Sequence, residues 1–415
     1  MMNLAVGSSS RRCATSIAGA CALLLCSATF AGSAHAASSI LGTTGTNPAA
    51  IAVDSAGNIY TTNSGSNNVS KITPRGASTI LGNTGSHPLG IAVDSAGNIY
   101  TANYWTSNVS KITPDGVSTT NWAATGSGPF AITVDLAGNI YTANTNSKNV
   151  SKITPGGTST ILGTTGSTST PNGITVDPAG NIYTSNYEAN NVSKITPNGT
   201  STILGTTGSY PSGIAVDSAG NIYTANRGSD NVSKITPDGT STILGTTGSH
   251  PQGITVDPAG NIYTANYDTN NVSKITPGGT STIIGTTGST PASITVDLAG
   301  NIYTANVSSN NVSKITQAPA PRPAKPATTW SSSAKAKTIT ALITPVSGVT
   351  YTLTAKSGRI TKKGSCKNVT IKQGKKKLAR RSCTIKLAKG KWLAAVTPKK
   401  GSVSGTASSK TYSFK

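Results

Sequence analysis

One phrase is written seven times along this chain: a short apolar run ending in Val-Asp, a tight turn, then Gly-Asn-Ile-Tyr. Its aspartates are Asp54, Asp94, Asp135, Asp177, Asp217, Asp257 and Asp297, at intervals of 40, 41, 42, 40, 40 and 40 residues. A unit this short cannot bury an apolar face by itself, so it must stack on its neighbours. The copy at 213–244 shows what the unit contains. Gly-Ile-Ala-Val-Asp (213–217) reads as a strand and Ser-Ala-Gly-Asn as a turn, with Gly220 supplying positive φ. Ile-Tyr-Thr-Ala (222–225) follows as a second strand, rich in sheet-favouring residues. A variable loop leads to Val-Ser-Lys-Ile-Thr (232–236), Pro-Asp-Gly turns the chain, and Thr-Ser-Thr-Ile-Leu (240–244) completes four strands.

Four short strands per 40-odd residues specify an all-β chain and a β-propeller with one blade per repeat. The array is out of phase at its ends. Ser38-Ser39-Ile40-Leu41 is a fourth strand with no blade before it, and Asn311–Thr316 is a third strand with no fourth after it. Pairing residues 38–41 with 312–316 closes a seventh blade and removes the free edges of an open array. The expectation is therefore a seven-bladed β-propeller over 37–316, closed by its N-terminal strand.

Phrases such as Pro-Asn-Gly-Ile-Thr-Val-Asp-Pro-Ala-Gly-Asn-Ile-Tyr (171–183) resemble NHL repeats and similar bacterial seven-bladed repeats. Ile-Thr-Pro-Asp-Gly (235–239) also resembles streptogramin lyases, and the fold resembles gluconolactonase-like propellers. The resemblance covers residues 38–316 and implies the fold, while its members include binders, sensors, lactonases and lyases. There are departures. NHL repeats often carry Asp where this chain has Asn63, Asn103, Asn144, Asn186, Asn226, Asn266 and Asn306. The lactonase type uses a Glu/Asn/Asp divalent site at the central channel, whereas Glu188 falls in a loop.

Residues common to all copies read as scaffold, the seven turn aspartates and the seven Asn-Val-Ser triplets included. Variation concentrates in the loops after the second strands and between blades, which emerge on one face. There the chain carries Tyr104-Trp105-Thr106-Ser107, His87 and Phe130. Neighbouring blades 4 to 6 carry Tyr187, Glu188, Tyr210, Arg227, Asp230, His250, Tyr267 and Asp268. Aromatic platforms with mixed charge suit a sugar or peptide, and those eight residues are the expected binding site. Glu188, Asp230 and Asp268 could also hold Ca²⁺ through oxygen ligands, although no metal or other cofactor is required. After the leader only His87 and His250 remain as histidines, on nearly opposite sides of the ring, and no catalytic residue is assigned.

Residues 1–36 read as a secretory signal: Arg11 and Arg12, an apolar run from Ile17 to Phe30, and Ala34-His35-Ala36 as cleavage site. The remaining cysteines, Cys366 and Cys383, are expected to form a disulfide in an oxidising compartment. They are symmetric about Gly374-Lys375, so a hairpin with a cross-strand bridge is expected, worth about 3 kcal/mol by loop closure.

The formal charge of +22 is unevenly distributed. Residues 37–318 hold 10 Lys+Arg against 12 Asp+Glu, whereas 319–415 hold 22 Lys+Arg and no acid. A Pro-rich linker (317–329) joins the two parts. The basic part (330–415) reads as a small immunoglobulin-like β-sandwich with strands at Thr338–Val346, Thr350–Ala355, Val369–Lys372, Thr384–Leu387 and Trp392–Val396. Lys372, Lys375, Lys376, Lys377, Arg380 and Arg381 form a run for an anionic cell-wall polymer or membrane surface, or a solvated solubilising stretch. Nucleic acid is not expected, because stacking aromatics do not accompany the lysines. The sequence thus reads as a secreted, monomeric, non-catalytic propeller that binds a protein, peptide or glycan and is held near the envelope by its cationic domain. The alternative is a propeller lactonase or lyase acting on lactone or cyclic ester substrates.

Overall fold

The computed structural model describes residues 37–166, 168–317, 328–333, 338–343, 350–357, 360–373, 376–386, 390–400, 403–404 and 408–414. The stretch read as a secretory signal (1–36), most of the stretch read as linker, and Gly374 and Lys375 of the expected hairpin turn lie outside the described residues. Every regular element among the described residues is a β-strand.

Seven four-stranded antiparallel sheets form the propeller. Blades 1 to 6 run in simple order from innermost to outermost strand, starting at Pro48, Pro88, Pro129, Pro171, Pro211 and Pro251. Blade 7 takes Pro291–Val296, Ile302–Asn306 and Asn311–Thr316 from the end of the array and Ala37–Thr43 from its start. The register sets Ser38 opposite Ile315 and Ile40 opposite Ser313. The innermost strands pack side by side around a closed ring, blade 7 against blade 1. Each begins with proline, which a sheet tolerates at an edge because no ladder donor is needed there.

Blades stack face to face, so the second strand is covered on both sides. Ile59-Tyr60-Thr61-Thr62-Asn63 is buried at every position, and so are its six counterparts. Its polar members are satisfied internally. The Asn63 amide donates to Asn68 Oδ1 at 2.7 Å and to Ser70 Oγ at 2.8 Å, and Asn63 Oδ1 accepts from Thr61 at 3.1 Å. Blade 4 repeats the quartet with Thr184, Asn186, Asn191 and Ser193. The Asn-Val-Ser triplet is therefore a scaffold device. The apolar members form clusters that bridge adjacent blades, such as Tyr60, Val69, Ile91, Ile99 and Ile112.

The Asp turn is a second repeated device. Asp54 Oδ1 accepts from the Ala56 and Asn58 amides at 2.9 and 2.8 Å. Its Oδ2 accepts from the Asn58 side chain at 2.8 Å and the Tyr60 hydroxyl at 3.0 Å. Gly57 takes φ 82°, which a side chain would strain. Burial alone would raise the carboxyl pKa. The donated hydrogen bonds from Asn58, Tyr60 and Ala56 outweigh it and hold Asp54 below the ordinary value. Asp94, Asp135, Asp177 and Asp217 behave alike. Desolvation and the neighbouring carboxylate push the partner tyrosines up.

The C-terminal part is a two-sheet sandwich. One sheet holds Thr328–Ser333, Thr338–Ile343, Lys376–Lys386 and Ser365–Gln373, in that order. The other holds Ile360–Lys363, Thr350–Ser357 and Gly390–Lys400, the last paired also with Val403–Ser404 and Ser408–Phe414. Ile339, Ala341, Ile343, Cys383 and Ile385 of the first pack against Tyr351, Leu353, Ala355, Ala394 and Val396 of the second. The first strand starts at Thr328, inside the stretch read as linker, because Thr-Thr-Trp-Ser-Ser-Ser extends beside Thr338–Ile343. The hairpin has the expected register: Gln373 faces Lys376 and Cys366 faces Cys383.

Two outcomes follow. Deleting residues 37–43 should leave Asn311–Thr316 as an open edge, lower the unfolding temperature and promote self-association, read by thermal melting and size-exclusion chromatography. Stability should also fall at both pH extremes. The depressed aspartates contribute stability above their unfolded pKa near 3.8, and it is lost as pH drops through the lower folded values. The raised tyrosines contribute stability that is complete below their ordinary 10.0 and lost as pH climbs towards the folded values. Melting temperatures from pH 2 to 12 should therefore show a plateau between these limits, a range set by the reference pKa values.

Candidate functional site

The loops after the second strands meet the between-blade loops on one face. Tyr187 N–H donates to Thr170 O at 3.0 Å, Arg227 N–H to Tyr210 O at 3.0 Å and Tyr267 N–H to His250 O at 3.0 Å. These contacts set each variable loop beside the entry to its own blade. Several entry residues are held at positive φ, including His87 (58°), Tyr210 (54°) and His250 (52°). A side-chain acceptor from the preceding blade fixes them there. The backbone N–H of His87 donates to Asn67 at 2.8 Å, that of Tyr210 to Asn190 at 2.7 Å and that of His250 to Asp230 at 2.7 Å.

This latch accounts for Asp230, whose carboxylate stands where the preceding blade has an asparagine. Asp268 pairs with His250 through a short contact between carboxylate and Nδ1, both side chains being nearly half exposed. Glu188 is exposed, and its backbone N–H donates to Thr170 Oγ1 at 3.2 Å. Among the described residues no three His, Cys, Asp or Glu side chains come together as a metal group. The three acids expected as Ca²⁺ ligands therefore do not converge, since two are engaged with His250 and the third lies on blade 4.

The remaining members do assemble. The Tyr187 and Tyr210 rings lie 5.0 Å apart, tilted by 31°. Arg227 stacks over the Tyr267 ring at 5.8 Å, and its Nη1 reaches the Tyr187 hydroxyl at 3.5 Å. Arg227 Nε is buried with no partner. Across the axis lies a second aromatic group. His87 stacks on Trp105 at 4.2 Å and 10°, and meets Tyr104 edge-on at 6.3 Å. Tyr104 in turn meets Phe130 edge-on at 6.5 Å. Trp105 is 69% exposed.

An axial cavity of about 350 Å³ lies between the two groups, with Phe130 and Tyr267 both in its wall. The residue after each inner-strand proline lines it in turn: Leu89 and Phe130 on one side, Asn172, Ser212 and Gln252 on the other. The cavity is thus apolar beside blades 2 and 3 and polar beside blades 4 to 6. Gln252 Oε1 is buried without a donor. Sequence reasoning did not single out this ring. Its signal was present, because the position after the proline varies widely in size and polarity among copies, while the residue before it is always proline and the one after it is always Gly, Ala or Ser.

Among the described residues the wall of the cavity contains no His, Asp, Glu, Lys, Arg or Cys. Its titratable member is Tyr267. A family model describing the virginiamycin B lyase family matches residues 117–380, more than half of the chain. The protein belongs to the virginiamycin B lyase family. Solved structures similar to it include a selenomethionine-substituted virginiamycin B lyase from Staphylococcus aureus, with TM-score 0.60 and 18% identity, covering 68% of this chain and 99% of that one. A streptogramin B lyase gives TM-score 0.61 at 18% identity, covering 68% and 98%. A catalytically inactive Staphylococcus aureus virginiamycin B lyase with quinupristin gives 0.60 at 20%, covering 68% and 99%. At these identities the likeness concerns the fold. No curated protein sequence matches the chain. In this member of the virginiamycin B lyase family, the shared propeller carries an aromatic track across an axial cavity in whose wall Tyr267 is the titratable group among the described residues.

The latch gives a direct test of which residues are structural. Asp230→Asn should leave stability unchanged, because Asn190 performs the same role one blade earlier. Asp230→Ala should cost about 1 kcal/mol in urea unfolding through the lost acceptor.

Proposed function

We propose that this protein is an exported, non-catalytic binding propeller. Its loop face holds an extended peptide or glycan, and its basic sandwich keeps it beside an anionic envelope surface. The aromatic track carries this reading: Trp105, His87, Tyr104 and Phe130 on one side and Tyr267, Arg227, Tyr187 and Tyr210 on the other, joined through the cavity wall. Flat rings with polar edges supply large contact area at low entropic cost, which suits sugar rings and peptide side chains. General acid–base catalysis needs a titratable group within reach of the reacting atoms, and among the described residues the cavity wall offers Tyr267 alone.

The basic hairpin supports the second half of the proposal. Its register sets Lys372 opposite Lys377 and Arg380 opposite Val369. Like charges directly opposite on a ladder destabilise it, and a polyanion laid along the strands would offset that repulsion. The facing cysteines, Cys366 and Cys383, would staple the same hairpin through the proposed disulfide.

A lyase or lactonase is the second reading, favoured by the family and by the His250–Asp268 pair. One set of assays separates the two. Retention of the full chain on purified bacterial cell wall should have a salt-sensitive part, lost when Lys372, Lys376, Lys377, Arg380 and Arg381 become serine. The salt-resistant part should weaken about tenfold, equivalent to 1.4 kcal/mol, in Trp105→Ala/Tyr267→Ala. Retention indifferent to both changes, or turnover of quinupristin with divalent cation present, would overturn the proposal.

A further inference from the structure

The opposite face of the propeller carries a repeated pocket. Between blades 1 and 2 a cavity of about 420 Å³ is lined by Asp54, Asn58, Tyr60 and Lys71 of one blade and Val93, Ala96 and Pro114 of the next, among others. The gap between blades 5 and 6 repeats it at about 570 Å³ with Asp217, Tyr223, Lys234 and Pro277. The gap between blades 7 and 1 repeats it at about 260 Å³ with Asp297, Tyr303, Lys314 and Pro74. These volumes reach into the range of small-ligand clefts, about 300–1,000 Å³.

Each pocket presents the same pair of polar groups. Tyr60 and Lys71 are register partners on adjacent strands, and the ammonium lies 5.7 Å from the ring centre. The Tyr60 hydroxyl donates to Asp54, and its oxygen, which also has the Asn58 amide beside it, keeps a lone pair to accept. Among the described residues the one ion pair is His250–Asp268, so the pocket lysines have no carboxylate partner. An oxygen acceptor beside a cationic donor complements a group carrying N–H and C=O together.

One gap already holds such a group. In six copies the third strand runs into Thr-Pro, at Pro74, Pro114, Pro155, Pro197, Pro237 and Pro277; in the seventh it runs into Thr316-Gln317. Each proline packs on the turn glycine of its own blade, where an added Cβ would lie 3.3–3.4 Å from the ring. The corresponding Gly300 has nothing within 4 Å. The Gln317 side chain crosses to blade 6 instead. Its Nε2 donates to the Tyr263 hydroxyl at 2.7 Å, and its Oε1 accepts from Lys274 Nζ at 3.0 Å. The protein thereby shows its own pocket closed on a carboxamide.

We infer that the unfilled interblade pockets are a repeated binding site for the acetamido group of N-acetylated sugars. Tyr Oη receives the amide N–H and Lys Nζ binds the acetyl oxygen, as they do for Gln317. The methyl meets the apolar wall of valine, alanine and proline, Val93, Ala96 and Pro114 in the first gap. A sugar fits better than a side-chain amide from a partner protein, because the pockets recur around one ring and so match a polymer with a repeated acetamido group. In the gap between blades 2 and 3, Trp122 packs on Tyr100 at 5.2 Å and under Lys111 at 5.5 Å, which sets that copy apart.

The test uses the full chain and N-acetylglucosamine, with glucose and glucosamine as amide-free controls, followed by calorimetry and saturation-transfer NMR. Binding of more than one N-acetylglucosamine per chain, with transfer strongest at the acetyl methyl and none to the controls, is expected. Lys71→Met/Lys234→Met should remove two sites, those of the two gaps these lysines line. Gln317→Pro restores the residue present in six copies, so it should fold normally and add one site. Equal binding of glucose, a stoichiometry unmoved by these variants, or binding of a glutamine-amide peptide in place of the sugar would overturn the inference. Because the loop face is itself proposed to hold sugar rings, the titrations are repeated in Trp105→Ala/Tyr267→Ala, where the interblade binding and its methyl signature should persist.

Discussion

Burial of the second strand on both faces is the constraint on which the rest of this propeller depends. Five consecutive positions, Ile222 to Asn226 in blade 5, lie inside the protein. A strand with one wet face can vary every other residue, whereas this one varies only at its fourth position and there only among Ala, Ser and Thr. Its polar members must therefore find partners within the blade. Thr224 and Asn226 do so with Asn231 and Ser233, and Tyr223 with Asp217 at the turn. Each blade locks its own second strand at both ends: the Asp turn holds one and the Asn network the other. What remains free to change is the loop that leaves the Asn end and the side chain that reaches the axis.

That division explains how much was legible in the sequence. Blade number and closure followed from phase alone, because an unpaired fourth strand at Ile40 and an unpaired third at Val312 can be satisfied together in one way. The hairpin register followed from the symmetry of Cys366 and Cys383 about a turn dipeptide. The loop site was half legible. Charge and aromaticity pointed to blades 4 to 6, but they did not distinguish a residue open to a ligand from one that latches two blades. Asp230 looked like a rare, unique acid. It is an asparagine equivalent accepting a backbone N–H, and that role depends on the positive φ of His250, which local sequence does not announce.

The axial ring was missed for a related reason. Leu89, Phe130, Asn172, Ser212 and Gln252 sit one residue past a proline, inside what reads as a uniform apolar strand. Their side chains share a cavity because seven inner strands converge, and convergence is a property of the closed ring rather than of any single copy. Read down the column of repeats, the position varies widely between a constant proline and a residue that is always small. In a molecule built by repetition, such variation marks a surface released from scaffold duty, and here it produces a cavity with one apolar and one polar side.

The same comparison of copies gives the opposite lesson at the other face. There the position that matters is constant in six blades and broken in one. A proline at the end of the third strand covers its own turn glycine and leaves the gap beside the preceding blade open. Glutamine at that place can do neither, since it lacks the ring and carries a donor and an acceptor that need partners. It finds them in the tyrosine and lysine of the neighbouring blade. The substitution falls where the array ends and the chain departs, a point at which the turn into a fourth strand is no longer required. Release from that turn exposes what the invariant Asp, Tyr and Lys can hold once their structural bonds are made: the tyrosine oxygen retains an acceptor and the ammonium retains its donors. Scaffold residues repeated for the sake of the fold therefore present a repeated chemistry to solvent, and Gln317 identifies which chemistry fits.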